Sequence, residues 1–327
     1  MFTKVPLALF VLLILLTLTT GHAPWEAVFE QAYQRVFFDG QGWNPLLDER
    51  LPRLIILLST GASLAVSGYV LQSLFQNPLA SPSILGISCG GSLAAIFSFI
   101  FGFHLTHPYI VSLAAFGGSL FTLVLIYGLS KTKGGVHPTT LILSGVAISS
   151  LFLALQNILL YQMREQWDLM QTIAEWQSGS TALFTWKHVH MQLPVCLVGF
   201  FGCWHYRKEI DLLALGDEEA EHMGVDIATV RFRLFLCVAL LTGGALATVG
   251  VIAFFGLVLP NLLRRISSPL ATVLLPRSII FGGLLFAWLD LSLRLFNIEA
   301  LSLGNVSAVL GGIFFGGLLY ESERSFH

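Results

Sequence analysis

The sequence predicts an all-α polytopic membrane protein of about ten transmembrane helices, and three observations predict it. Of 327 residues, 55% are hydrophobic and only 11% charged, against roughly 25% charged in soluble domains. The apolar residues fall in long unbroken runs, not in the alternating segments of about ten residues that mark a membrane β-barrel. Charged side chains gather in the short stretches between the runs. A net charge of −2 with no basic patch argues against nucleic acid as a partner. Cys89, Cys196, Cys203 and Cys237 all lie inside apolar runs without metal-ligand spacing, so they read as small core residues.

The first run, 5–18 after Lys4, has the length of a signal-peptide core, with cleavage near His22-Ala23 as one reading. A retained first helix is preferred, because neighbouring runs are also short. Residues 21–53 are polar. A second span at 54–74 ends at Asn77-Pro78-Leu79-Ala80-Ser81-Pro82, where two prolines within five residues exclude a helix interior. Spans follow at 84–103, 109–129 and 140–161. The next loop carries Trp167, Trp176 and Trp186, spaced as an interfacial belt. The sixth span is 189–204.

Residues 211–226, DLLALGDEEAEHMGVD, form the longest strongly polar run. They read as two helical pieces, 212–215 and 217–223, broken at Gly216. Asp217 caps the second, Glu218 and Glu219 suit its positive end, and Gly224 closes it. Leu215, Ala220 and Met223 then share an apolar face. Such a rod is either an ordered loop or a docking element for a soluble partner.

Residues 234–263 hold no charge. At 1.5 Å per residue the run reaches about 45 Å, long for one crossing and short for two. Arg231 and Arg233 precede it and Arg264 and Arg265 follow, so it crosses twice, bending at Gly250. Spans nine and ten are 278–295 and 306–320. Ten crossings leave Arg35, Arg50, Arg53, Arg164, Lys187 and Arg294 on one side. The other 11 of the 17 basic residues lie on the opposite side. The basic side is the cytoplasm, with both termini and 211–226 in it. Thr60-Gly61-Ala62-Ser63-Leu64-Ala65-Val66-Ser67-Gly68 is echoed by Thr242-Gly243-Gly244-Ala245-Leu246-Ala247-Thr248-Val249-Gly250 in the reverse sense of crossing. That predicts one domain, 1–327, with an inverted repeat of 54–161 and 232–320.

No catalytic set is present. His104 with His107, and His188 with His190, read as interface residues, and no HExxH, GxSxG or phosphate-binding GxxxxGK[ST] occurs. No metal or cofactor is expected on the chain. Asp290 and Arg294, spaced i, i+4, are expected to pair. No carboxylate or histidine falls mid-membrane, which disfavours a proton-coupled carrier. A pore lined by Gln72, Gln76, Asn77, Gln156 and Asn157 stays open as an alternative. Energy for uphill transport must then come from a partner.

Several stretches together resemble the FecCD/BtuC-type permeases of binding-protein-dependent ABC importers. They are Arg50-Leu51-Pro52-Arg53, the Gly61 to Gly68 segment, and Gln76 through Pro82 with Leu85-Gly86. Trp176 with Gly179-Ser180, residues 212–225, and Phe255-Gly256-Leu257-Val258-Leu259-Pro260 complete the set. The resemblance implies a second permease subunit, identical or paralogous, two cytoplasmic ATPases that use the ATP, and a periplasmic or lipid-anchored substrate-binding protein. It implies a bacterial inner-membrane protein that does no chemistry itself and carries a ferric siderophore, with haem, cobalamin or an oxyanion as alternatives. A stand-alone secondary transporter or channel is the rival class. By the resemblance, Leu213, Leu215, Gly216, Asp217, Glu218, Ala220, Met223 and Gly224 couple to the ATPase. Arg50, Arg53 and Arg294 meet the binding protein, and Gln76, Asn77, Pro78, Leu79, Pro138, Thr139 and Thr140 form a gate. Asn261 stands where a histidine is usual, and Ile313 where a proline is. The 267–269 turn lacks the usual basic cluster, and the last outer turn, with Glu299, is longer than the usual motif.

Overall fold

The chain passes from α1 (Lys4–Thr19) to α2 (Trp25–Phe37), and then to a π-helical turn, Leu46–Arg50, that runs straight into α3 (Leu51–Leu74). The computed structural model describes residues 4–19, 25–38, 42–83, 85–107, 109–132, 135–136, 138–179, 184–296 and 301–324. The reading of cleavage near His22-Ala23 lies outside them. The second span therefore begins earlier than the apolar pattern indicates. Pro45 precedes the π-helical turn, where no backbone N–H is needed, Pro52 sits at the junction where that turn becomes α3, and the helix continues through Asp48 to Arg53.

The third span is shorter than expected. The chain stays irregular after Leu74 until α4 (Ile87–Ile100), and α5 (Phe103–Thr106) is a separate turn after Gly102. Next come α6 (Ile110–Ser130), the small hairpin β1 (Lys131–Thr132) and β2 (Gly135–Val136), and α7 (Pro138–Gln162). The tryptophan-bearing loop contains a helix of its own, α8 (Trp167–Gln177), and α9 (Trp186–His205) follows. Two short helices, α10 (Arg207–Leu213) and α11 (Asp217–His222), precede α12 (Ile227–Val249). After an extended stretch come α13 (Phe255–Ile266), α14 (Ala271–Leu295) and α15 (Leu303–Arg324).

Among the described residues, five helical segments are long and apolar enough to cross a membrane: Leu46–Leu74, Ile110–Ser130, Thr139–Gln162, Ile227–Val249 and Ala271–Leu295. The charge-free run does turn at Gly250, whose φ of +85° suits glycine. Its return leg is an extended stretch plus a 12-residue helix, α13. This half-length helix ends level with the end of α3, because Arg264 reaches Gln72 and Ser73.

Helix α3 is the axis of the bundle: 89% of its most apolar window is buried, and it packs on α14, α12, α13 and α9. Small residues permit these approaches. A β-carbon on Gly68 would fall 1.7 Å from the Gly256 carbonyl oxygen, and one on Gly61 would fall 2.2 Å from that of Gly282. The two copies of the Thr-Gly echo lie on neighbouring antiparallel helices, α3 and α12. Gln192 of α9 ties them together, donating to Thr60 Oγ1 at 2.8 Å and accepting from Thr248 Oγ1. The second copy ends its helix at Gly250, whereas the first continues to Leu74.

Candidate functional site

Three features gather at the end of the bundle where α3 stops: the α10–α11 elbow, the irregular segment after α3, and α13. The first piece of the elbow is α10, about two turns over Arg207–Leu213, which starts and ends earlier in the chain than 212–215. Its Ile210 and Leu213 are buried. Asp211 anchors the elbow by accepting the N–H of Ala271 at 2.7 Å, at the start of α14. Burial raises the Asp211 carboxyl pKa, and the Ala271 N–H opposes this. Gly216, at φ +143°, sets the bend. A β-carbon there would meet the Glu219 carboxylate at 2.2 Å.

Asp217 does not cap α11 through its side chain. It is the first residue of the helix, and it pairs with Arg231 of α12 at 2.6 Å. Arg231 is 3% exposed, so this pair fastens the rod to the bundle. The rod closes in a Schellman arrangement: Val225 N–H reaches Ala220 O at 3.0 Å, Gly224 N–H reaches Glu221 O at 2.9 Å, and Gly224 has φ +84°. Asp226 then caps α12 through Thr229, and these hydrogen bonds hold its carboxyl below the usual range.

The expected shared apolar face of Leu215, Ala220 and Met223 divides in two. Ala220 is fully buried, with Leu213, against the bundle, whereas Leu215 and Met223 are 68% and 70% exposed. Leu215 precedes the Gly216 bend and Met223 is the C-cap, so neither belongs to the Asp217–His222 helix that turns Ala220 inward. The outer surface of the elbow therefore carries two apolar prongs, Leu215 and Met223, beside exposed Glu218, Glu219 and Glu221.

The segment after α3 touches the elbow directly. Gln76 donates from Nε2 to Leu213 O at 3.3 Å, and its backbone is left-handed (φ +49°) although it is not glycine. A cost of roughly 1–2 kcal/mol attaches to that conformation. Asn77 folds the turn through Oδ1, which accepts Leu79 N–H at 2.9 Å. Pro78 O accepts Asn261 Nδ2 at 2.8 Å, and the same amide reaches Leu257 O at 2.9 Å. Gln72 adds a bond to Leu257 O at 3.2 Å and takes one from Arg264 at 2.9 Å. Arg264 also stacks over Tyr69, 5.3 Å from the ring centre. Irregular backbone beside Pro78 is thus stitched to the proline-bearing α13.

The remaining gate residues lie elsewhere. Pro138 opens α7, Thr139 is exposed, and Thr140 Oγ1 donates to Ser130 O at 3.3 Å, closing α6. Where the irregular segment approaches α7 it does so further along, with Leu85 and Gly86 against Gly145 and Ser149.

At the opposite end, Arg53 grips Asp290 with two bonds, Nε to Oδ2 at 3.1 Å and Nη2 to Oδ1 at 2.7 Å. Arg294 Nε lies 3.1 Å from Oδ2, the expected i, i+4 pair. Asp290 is 2% exposed and Arg50 6%. Sequence reasoning found the Asp290–Arg294 spacing but not the role of Arg53, which is 237 residues distant. Nor did it find Arg231 as the anchor of Asp217. Asn261 stood out only as a departure from the family pattern. Of the proposed pore amides, Gln72 and Gln156 are buried and bonded to main-chain carbonyls of Leu257 and Cys89, and Asn157 is exposed.

Comparison with known proteins fits this architecture. The hemin transport permease HmuU of Yersinia pestis is 34% identical over 328 residues, covering 96% of this chain and 95% of that protein. The vitamin B12 import permease BtuC of Vibrio parahaemolyticus is 37% identical over 314 residues, covering 95% and 92%. The ferric dicitrate permease FecD of Escherichia coli is 34% identical, covering 84% of each. A solved metal-chelate type ABC transporter, in an inward-facing conformation, superposes with a TM-score of 0.82 at 27% identity. That match covers 98% of this chain and 99% of the other. A model described as the FecCD transport family matches residues 7–321, and with these relatives it shows that the chain belongs to that family.

Proposed function

We propose that this chain is the permease subunit of a binding-protein-dependent ABC importer. It moves a ferric siderophore across the bacterial inner membrane by alternating access. The observation that carries the reading is the elbow at α10–α11. Leu213 and Ala220 hold it to the bundle, while Leu215 and Met223 stand out with acidic neighbours. A rigid rod with a free apolar tip suits insertion into a cleft of a soluble ATPase. In this reading both termini and the elbow are cytoplasmic, and the energy arrives there. Gln76–Leu213 and Pro78–Asn261 carry rod movement to α13 as a rigid-body shift.

A second permease subunit, a copy or a paralogue, completes the pathway. The outward face of α7 supports this, since Asn157 lies exposed on it among apolar residues. Such a group prefers a cavity or a partner to lipid. The Arg50, Arg53 and Arg294 cluster around Asp290 is the proposed landing point for acidic groups of the binding protein. Arg53→Glu would place a carboxylate against Asp290, so the probe there is Arg294→Gln, which leaves Arg53 on Asp290, with its melting temperature read beside binding-protein affinity.

The test is uptake of labelled iron chelates in cells with and without the subunit, combined with co-purification of an ATPase. Loss of uptake together with ATPase capture supports the reading. Uptake that persists without any ATPase would transfer the chain to the secondary carriers. A panel with haem, cobalamin and ferric citrate separates the substrates.

A further inference from the structure

We propose that α2 is an interfacial helix whose Phe29–Tyr33–Phe37 flank is seated in the lipid headgroup layer, on the face opposite the elbow. The depth follows from α3. Leu46–Leu74 is one continuous helix of 29 residues, about 43 Å at 1.5 Å per residue. The hydrocarbon core is about 30 Å thick, or about 40–45 Å with headgroups. With Leu74 at one boundary, residues 46–50 lie within the opposite headgroup layer. Trp186 marks the same level, since its indole N–H donates to Leu47 O at 2.8 Å, and tryptophan favours that depth.

Helix α2 is fastened at this level. Val28 and Ala32 pack on Leu46 and Leu47. Asn44 donates to Val28 O at 3.1 Å, and Arg35 pairs with Asp48. The rest of the helix divides into two flanks. At about 100° per residue, Phe29, Tyr33 and Phe37 lie on one side of the Val28–Ala32 seam, Gln31 and Gln34 lie on the other, and Glu30 lies opposite the seam between them. Tyr33 and Phe37 are 58% and 68% exposed, with ring centres 5.0 Å apart, and Phe38 continues the cluster 5.8 Å from Tyr33. An aromatic flank, a polar flank and a face fixed to the rim are the pattern of a helix lying in the membrane plane. Lipid is the favoured occupant because the aromatic flank is continuous with lipid-level elements on both sides in sequence, α1 and α3. The inference needs only that α3 spans the membrane, and not that the chain is a transporter.

The test uses the full chain, with its four cysteines replaced, in bilayers of phosphatidylcholine and phosphatidylglycerol. Nitroxides at 29, 33 and 37 are compared with nitroxides at 31 and 34. The expected result is a shift toward oxygen over a water-soluble nickel chelate as collision partner at the aromatic positions, with the reverse at 31 and 34. Equal ratios at both sets would overturn the proposal. Overturning it as well would be aromatic positions that face water alone and become shielded when a binding protein is added. Phe37→Trp and Gln31→Trp, read by quenching from brominated acyl chains against the parent protein, give an independent measure. Loss of the difference between them sinks the idea even where a spin label perturbs the helix.

Discussion

Single side chains fasten this bundle at both ends. Asp290 is buried and shared by Arg53 and Arg294, so its one negative charge faces two cations and binds both. Removing one partner of a buried ion pair costs about 3–5 kcal/mol. Asp290→Asn is therefore expected to lower thermal stability in detergent by that order. Asp290→Asn combined with Arg53→Gln should cost less than the sum of the single changes, and additivity in that cycle would refute the coupling. Asn261 supplies two bonds from one amide, to Pro78 O and Leu257 O. Asn261→Ala removes the donor from Pro78 O, while Leu257 O keeps Gln72, and should cost about 1–3 kcal/mol, read by thermal melting. At this scale local spacing was informative and long-range pairing was not. Arg294 is visible from Asp290 at i, i+4. Nothing in the sequence points from Asp290 to Arg53, or from Asp217 to Arg231.

Among the elements, α11 and the α3–α13 contact make the sharpest demands. Leu215→Asp and Met223→Asp should leave melting unchanged while weakening ATPase capture, by about tenfold or more if each prong is a hot spot. Leu213→Asp should instead destabilise the fold, because that position is buried. If all three behave alike, the division of the elbow into inner and outer faces is wrong. Gly68→Ala would drive a methyl into the Gly256 backbone. Overpacking of that kind costs about 1–3 kcal/mol, and the expected readout is a lower melting temperature with reduced uptake. Helix positions were legible because apolar runs and proline breaks are local. The early start of α3 and the short α4 and α13 were not. A charged turn such as 46–50 becomes helix only where neighbours accept it.

For the whole molecule, the prediction concerns sidedness. The ends of α3, α10, α11 and α13 share one face, and the Arg53–Asp290–Arg294 cluster lies on the other. Met223→Cys is expected to react with an impermeant thiol reagent in inside-out vesicles and to resist it in intact cells. Labelling from outside would invert the proposed orientation.

Composition and the arrangement of apolar runs were enough to establish a helical membrane protein, because burying backbone in lipid leaves few options. Proline, glycine and charge placement located the elbow, the break after α3 and the turn at Gly250, since these act on neighbouring residues. Packing supplied the rest. It turned Ala220 inward and Leu215 outward, and brought Asn261 to Pro78 across 183 residues. It also gave Asp290 two arginines. Those outcomes depend on how helices far apart in the chain approach one another, and a one-dimensional pattern does not carry that distance.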